Sequence, residues 1–161
     1  MQLKGVDGIR ELRITFAGYE FSNDLSDAST ANWLEADINV QTPHGWGTSR
    51  VACMHTWDAL SLDDWLDTLG AQRLVGELEM LFPEPNLQFR VAHQTAREIT
   101  FHVGFILERP GQWQMDDAHN VDSSNYVGEM DLTMSYAALL TASESLRVEV
   151  QNFPIRKAES L

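Results

Sequence analysis

The chain has 161 residues, 43% of them apolar, enough for one sizeable core, and it carries 24 acidic against 11 basic side chains, a formal charge of −13. That charge excludes phosphate backbones and anionic membrane surfaces as partners, since both are bound through Lys and Arg. The lone Cys53 excludes an intrachain disulfide scaffold and points to a reducing, cytoplasmic home, and neither a leader-like run in residues 1–13 nor a bilayer-length apolar stretch is present.

Period-2 alternation, the mark of strands with one buried face, dominates the chain. Leu12, Ile14 and Phe16 alternate with Arg13 and Thr15. Leu34, Ala36, Ile38 and Val40 then alternate with Trp33, Glu35, Asp37 and Asn39, up to the turn Thr42-Pro43-His44-Gly45. The strand is expected to double back there as an antiparallel hairpin through Ser49 to Met54. After Met54 the period changes to helical: Leu62, Trp65, Leu66 and Leu69 share a face, Thr56 or Ser61 is a candidate N-cap, and Gly70 marks the end.

Alternation returns from Leu74 to Phe82, with Leu78, Met80 and Phe82 expected inward and Glu77 and Glu79 outward. Pro83-Glu84-Pro85 breaks that strand, and Leu87, Phe89 and Val91 begin the next. Ile99, Phe101, Val103, Phe105 and Leu107 line a long strand, after which residues 110–125 read as a long polar loop. A last strand places Tyr126, Met130, Leu132 and Met134 inward and Glu129 and Asp131 outward. It runs into a helix with Ser135 as candidate N-cap and Tyr136, Leu139, Leu140, Leu146 and Val150 buried, stopped before Pro154.

The expected fold is therefore a single α+β domain over residues 1–161. It has a largely antiparallel, twisted sheet of about seven strands in the order βββαββββα, two helices packed against the sheet, and a loose tail from Lys157.

The residues that could carry chemistry are scattered. The five histidines, His44, His55, His93, His102 and His119, form no zinc spacing, and one cysteine cannot complete a metal motif. The segment Asp116-Asp117-Ala118-His119-Asn120-Val121-Asp122 clusters oxygen ligands without the glycine and distal Glu of a calcium loop. Cys53, beside Val51, has no visible base to activate it. No nucleophile elbow, phosphate loop or dinucleotide fingerprint occurs. The sequence thus calls for no cofactor, no metal and no catalytic residue.

Charge position is more informative. Residues i and i+2 of a strand point the same way, so Glu35/Asp37, Glu77/Glu79 and Glu129/Asp131 project outward in pairs. The first helix adds Asp58, Asp63, Asp64 and Asp67. Outward Arg13, Arg50 and Arg90 can pair with some of these groups across strands. Three arginines cannot neutralise the set, which leaves an acidic surface suited to a basic partner.

The chain resembles the WapI-type immunity proteins, small bacterial antitoxins that neutralise the toxic C-terminal domains of wall-associated and related polymorphic toxins. The resemblance rests on Ala31-Asn32-Trp33-Leu34, Thr42-Pro43 with Gly45, Phe82, Glu84-Pro85-Asn86-Leu87-Gln88-Phe89, Glu108-Arg109-Pro110, and Phe153-Pro154 with Arg156. The segment Arg50-Val51-Ala52-Cys53-Met54 departs from it. What the resemblance implies is a non-enzymatic protein that captures a toxin domain, basic if it is a nuclease. The acidic residues would make the contact and Trp33 or Trp46 would serve as aromatic anchors, although Trp33 could equally pack under a helix. The competing expectations are a binding module that forms a homodimer and a hydrolase built on Glu77 or Glu129.

Overall fold

Each outward-inward alternation becomes a strand, but the strands divide between two sheets. The computed structural model describes residues 1–72, 78–84, 86–107 and 126–158, Tyr126 by its backbone. The first sheet holds β1 (Gln2–Lys4), β2 (Glu11–Tyr19), β3 (Trp33–Thr42) and β4 (Gly45–His55) in chain order. The second holds β5 (Glu79–Leu81), β6 (Leu87–Gln94), β7 (Glu98–Leu107) and β8 (Tyr126–Ser135), again in chain order. All neighbours are antiparallel. Among the described residues three helices complete the α+β fold: α1 (Ala28–Asn32), α2 (Thr56–Gly70) and α3 (Tyr136–Val150).

The expectation of one seven-stranded sheet in the order βββαββββα is thereby corrected. Two elements are too short for periodicity to register: β1, whose inward residue is Leu3, and α1, five residues capped by Asp27 accepting from the Thr30 N–H. The 15-residue α2 separates two runs of strands, and each run pairs only with itself. The Val6 N–H to Thr133 carbonyl bond, 2.8 Å, ties the chain just after β1 to β8.

The inward side chains of both sheets share one core with α2 and α3. Trp65 of α2 lies 5.6 Å from the Phe101 ring and 6.3 Å from the Phe89 ring. Gly70 ends α2 where α3 comes closest, so a Cβ there would sit 2.8 Å from the Leu140 side chain and 3.2 Å from its backbone nitrogen. Leu140, expected buried, covers this contact from outside and remains 38% exposed.

Two further expectations fail locally. Neither Thr56 nor Ser61 caps α2. The N-cap is His55, whose N–H donates to Asp58 Oδ2 at 2.8 Å, while Ser61 donates from inside the helix to the Trp57 carbonyl. Leu78, expected inward, precedes the three-residue β5 and is exposed. Ser135 does cap α3, accepting from the Ala138 N–H.

The segment after α3 is held firmly. Buried Asn32 accepts from the Arg156 N–H at 2.7 Å and donates to the Arg156 carbonyl at 2.9 Å. The Arg156 guanidinium lies over the Tyr19 ring, whose hydroxyl donates to the Pro154 carbonyl. Phe153 packs edge-on against Phe16 and Tyr19. Among the residues of the family resemblance, Asn32 and Arg156 thus fasten α1 to the segment after α3, and Phe153 and Pro154 fasten that segment to β2. The loop at 110–125, with its cluster of oxygen ligands, lies outside the described residues.

Candidate interaction surface

With the inner faces committed to the core, the outer faces of the two sheets are where strand carboxylates meet solvent. On the first sheet, register brings Asp37 opposite Arg50, and the two form a bidentate pair with N···O distances of 2.7 and 2.8 Å. That hydrogen bonding, together with the guanidinium charge, holds the Asp37 carboxyl below its ordinary value. Glu11 is bridged by Arg13 at 3.0 Å. Near the end of β2, burial first, and then the neighbouring charges of Glu35 and Glu84, push the Glu20 carboxyl up. Glu35 is half-buried and faces this acidic corner.

Trp33 is not an exposed anchor. Its ring lies 4.1 Å from that of His55, which stacks in turn on Trp57 at 4.4 Å. Trp46, at the start of β4, is 53% exposed.

The carboxylates of α2 separate into different roles. Asp63 is buried, correcting its expected place on the surface. It accepts from Ser143 Oγ at 2.6 Å and from Arg147 Nε at 2.8 Å, joining α2 to α3. Asp67 lies 3.6 Å from the same guanidinium, whereas Asp64 is exposed. Asp58 is the helix-start carboxylate already described.

The second sheet presents a different surface. The outward row Glu79, Arg90, His102 and Asp131 runs across β5, β6, β7 and β8, beside the row Leu81, Gln88, Gly104 and Glu129. Glu79, Glu129 and Asp131 thus share one face, and Glu77 lies outside the described residues. His102 Nδ1 is 3.0 Å from Asp131 Oδ1 and its Nε2 is 3.1 Å from Glu129 Oε2. The side chains of Glu129 and Asp131 are still 74% and 67% exposed. A hollow of about 190 Å³ opens on this face between Glu79, Leu81, Gln88, Arg90 and His102. Gly104 lets the Gln88 side chain lie across β7, for a Cβ there would fall 2.4 Å from Gln88 Nε2.

Sequence reasoning missed the role of His102. Its parity on β7 already placed it outward, but only register reveals the two carboxylates opposite. It also missed Ser29, whose Oγ is 2.9 Å from His55 Nε2, while His55 Nδ1 is 2.8 Å from Asp58 Oδ2. These are the distances of a nucleophile–base–acid relay. Acyl transfer draws its largest stabilisation from donors aimed at the oxyanion. Here the backbone N–H groups of Thr30 and Ala31, next to Ser29, already donate to Asp27, whose carboxylate would oppose a developing negative charge. The group therefore reads as a tie between α1 and the start of α2.

Cys53 is fully buried, and burial pushes its thiol up to about 12, which leaves almost no thiolate near neutral pH. Among the described residues no three His, Cys, Asp or Glu side chains are placed to hold a metal ion. No helix among them is long and apolar enough to cross a membrane.

No curated protein and no solved structure matches the chain significantly. A family model does, over residues 2–154, nearly the whole length and every described strand and helix. The chain therefore belongs to the WapI-like immunity protein family.

Proposed function

We propose that this chain is a non-enzymatic immunity protein that acts in the cytoplasm by binding and neutralising a cognate toxin domain, basic and of nuclease type. The observation that carries the reading is family membership in a chain of net charge −13. A nuclease needs a cationic cleft for its phosphate substrate, and an acidic protein can occupy that cleft or cover it from an adjacent surface. Opposite fields also speed encounter, which favours capture before the toxin acts. The candidate contacts are the exposed members of the acidic set, Glu79, Glu129, Asp131 and Asp64, with exposed Trp46 as an aromatic anchor. Asp37 and Asp67 already have arginine partners in the free protein, which makes them weaker candidates.

Co-expression with a toxin domain whose gene is found to adjoin this one tests this. The expected result is survival of the cells, co-purification of the two chains and loss of nuclease activity in the complex. Cell death without co-purification would falsify the reading.

A further inference from the structure

The two outward sheet faces differ in what they offer a basic partner. On the first, the cations Lys4, Arg13 and Arg50 match the carboxylates Glu11, Glu35 and Asp37 in number, and both arginines close ion pairs, Arg13 with Glu11 and Arg50 with Asp37. On the second, the described outward residues include Glu79, Glu98, Glu129 and Asp131 against the single guanidinium of Arg90, with His93 and His102 beside them. The second face also carries apolar surface at both margins: Leu81 on β5 is 65% exposed and Val127 on β8 is 55% exposed. Between them lies the hollow next to His102.

We infer that the outward face of the second sheet is the docking surface for the cationic face of the cognate toxin domain. A Lys or Arg of the toxin would lie between Glu129 and Asp131, taking the hydrogen bonds now made by His102, while Val127 on the same strand meets its apolar stem and Leu81, on the opposite edge strand, meets other apolar surface of the toxin. The inference rests on the immunity reading and commits it to one face. Three features of the face fit this occupant. Its described carboxylates outnumber its guanidinium four to one, so a cation is attracted over distance. Glu129 and Asp131 are partnered, among the described residues, by an imidazole, which a guanidinium can replace with a bidentate geometry. Its apolar margins and hollow provide contact area that a merely solvated strand face lacks.

The experiment compares faces. A catalytically inactive form of the cognate toxin domain is titrated with wild-type protein, with the variant Glu79→Lys/Glu129→Lys/Asp131→Lys, and with Glu35→Lys as the first-face counterpart. Thermal unfolding of each variant confirms that it folds, and the milder Glu129→Gln/Asp131→Asn replaces the triple variant if it does not. The expected result is association at least about tenfold slower for the second-face variant at low salt, with a flattened salt dependence, and near wild-type kinetics for Glu35→Lys. Amide shifts on toxin binding should cluster at His102, Glu129 and Asp131. Wild-type protein that fails to bind the toxin removes the immunity reading and this inference with it. Binding that survives the second-face change, or that weakens equally with Glu35→Lys, overturns the inference and leaves the immunity reading standing.

Discussion

On the outward face of the first sheet Arg50 clamps Asp37 and Arg13 bridges Glu11, whereas on the second His102 stands between Glu129 and Asp131 with Arg90 as the nearest guanidinium on β6. Both faces come from the same alternating pattern, and both are antiparallel. The difference lies in what the carboxylates bond: Glu11 and Asp37 are held by guanidinium groups within the molecule, whereas Glu129 and Asp131 bond an imidazole and remain largely open to solvent and to a partner. An acidic composition therefore does not make every acidic strand a binding surface.

The sharpest separation between carboxylates is inside the molecule. Asp63→Ala removes the acceptor shared by Ser143 and Arg147 at the α2–α3 contact. It is expected to lower stability by about 2–3 kcal/mol, because buried polar groups lose their partner while half-exposed Arg147 turns to water. Chemical denaturation measures this, with Asp64→Ala as the neighbour expected to change stability little. An equal loss for both variants would break the distinction between a carboxylate that joins helices and one that faces solvent.

Next in size is the first face itself. Arg50→Gln releases Asp37 and turns a balanced face acidic, yet association with a basic partner should change far less than in the second-face variant, because the docking face is the other sheet. The pH response gives a second readout. Asp37 is held below its ordinary value, so its pair with Arg50 contributes stability above the unfolded carboxylate value, and that contribution is lost as pH falls through the lower folded value. Arg50→Gln should erase that part of the acid-unfolding curve.

The smallest effect concerns Glu20. Its carboxyl is pushed up by burial and by Glu35 and Glu84, so ionising it opposes folding, and stability should fall slightly as pH rises through its folded value. Glu20→Gln is expected to flatten that slope in pH-dependent thermal melts. A steeper slope would mean that the corner formed by Glu20, Glu35 and Glu84 is compensated by cations instead of crowded by anions.

Much of the fold was legible in the chain. Leu12 to Phe16, Leu34 to Val40, Ile99 to Leu107 and Met130 to Met134 each declare an inward face, and Ser135 announces α3. Short elements were not legible, since three residues of β1 and five of α1 give no period to detect, and α1 depends on the capping pair Asp27 and Thr30. Nor was the division into two sheets, because alternation fixes which side of a strand is apolar and says nothing about which strand lies alongside.

The candidate surface follows the same rule. From the sequence alone came the net charge, the outward direction of Glu35, Asp37, Glu79, Glu129 and Asp131, and the family resemblance, all of them properties of composition, local periodicity or local motif. Tertiary structure decided that Asp63 turns inward to Ser143, that Trp33 stacks on His55, that Asp37 meets Arg50, and that Glu129 and Asp131 meet His102. These are pairings between residues distant along the chain, and they are set by register and helix packing against the shared core. For that reason −13 could be counted from the sequence, while the face on which it stays uncompensated had to wait for the fold.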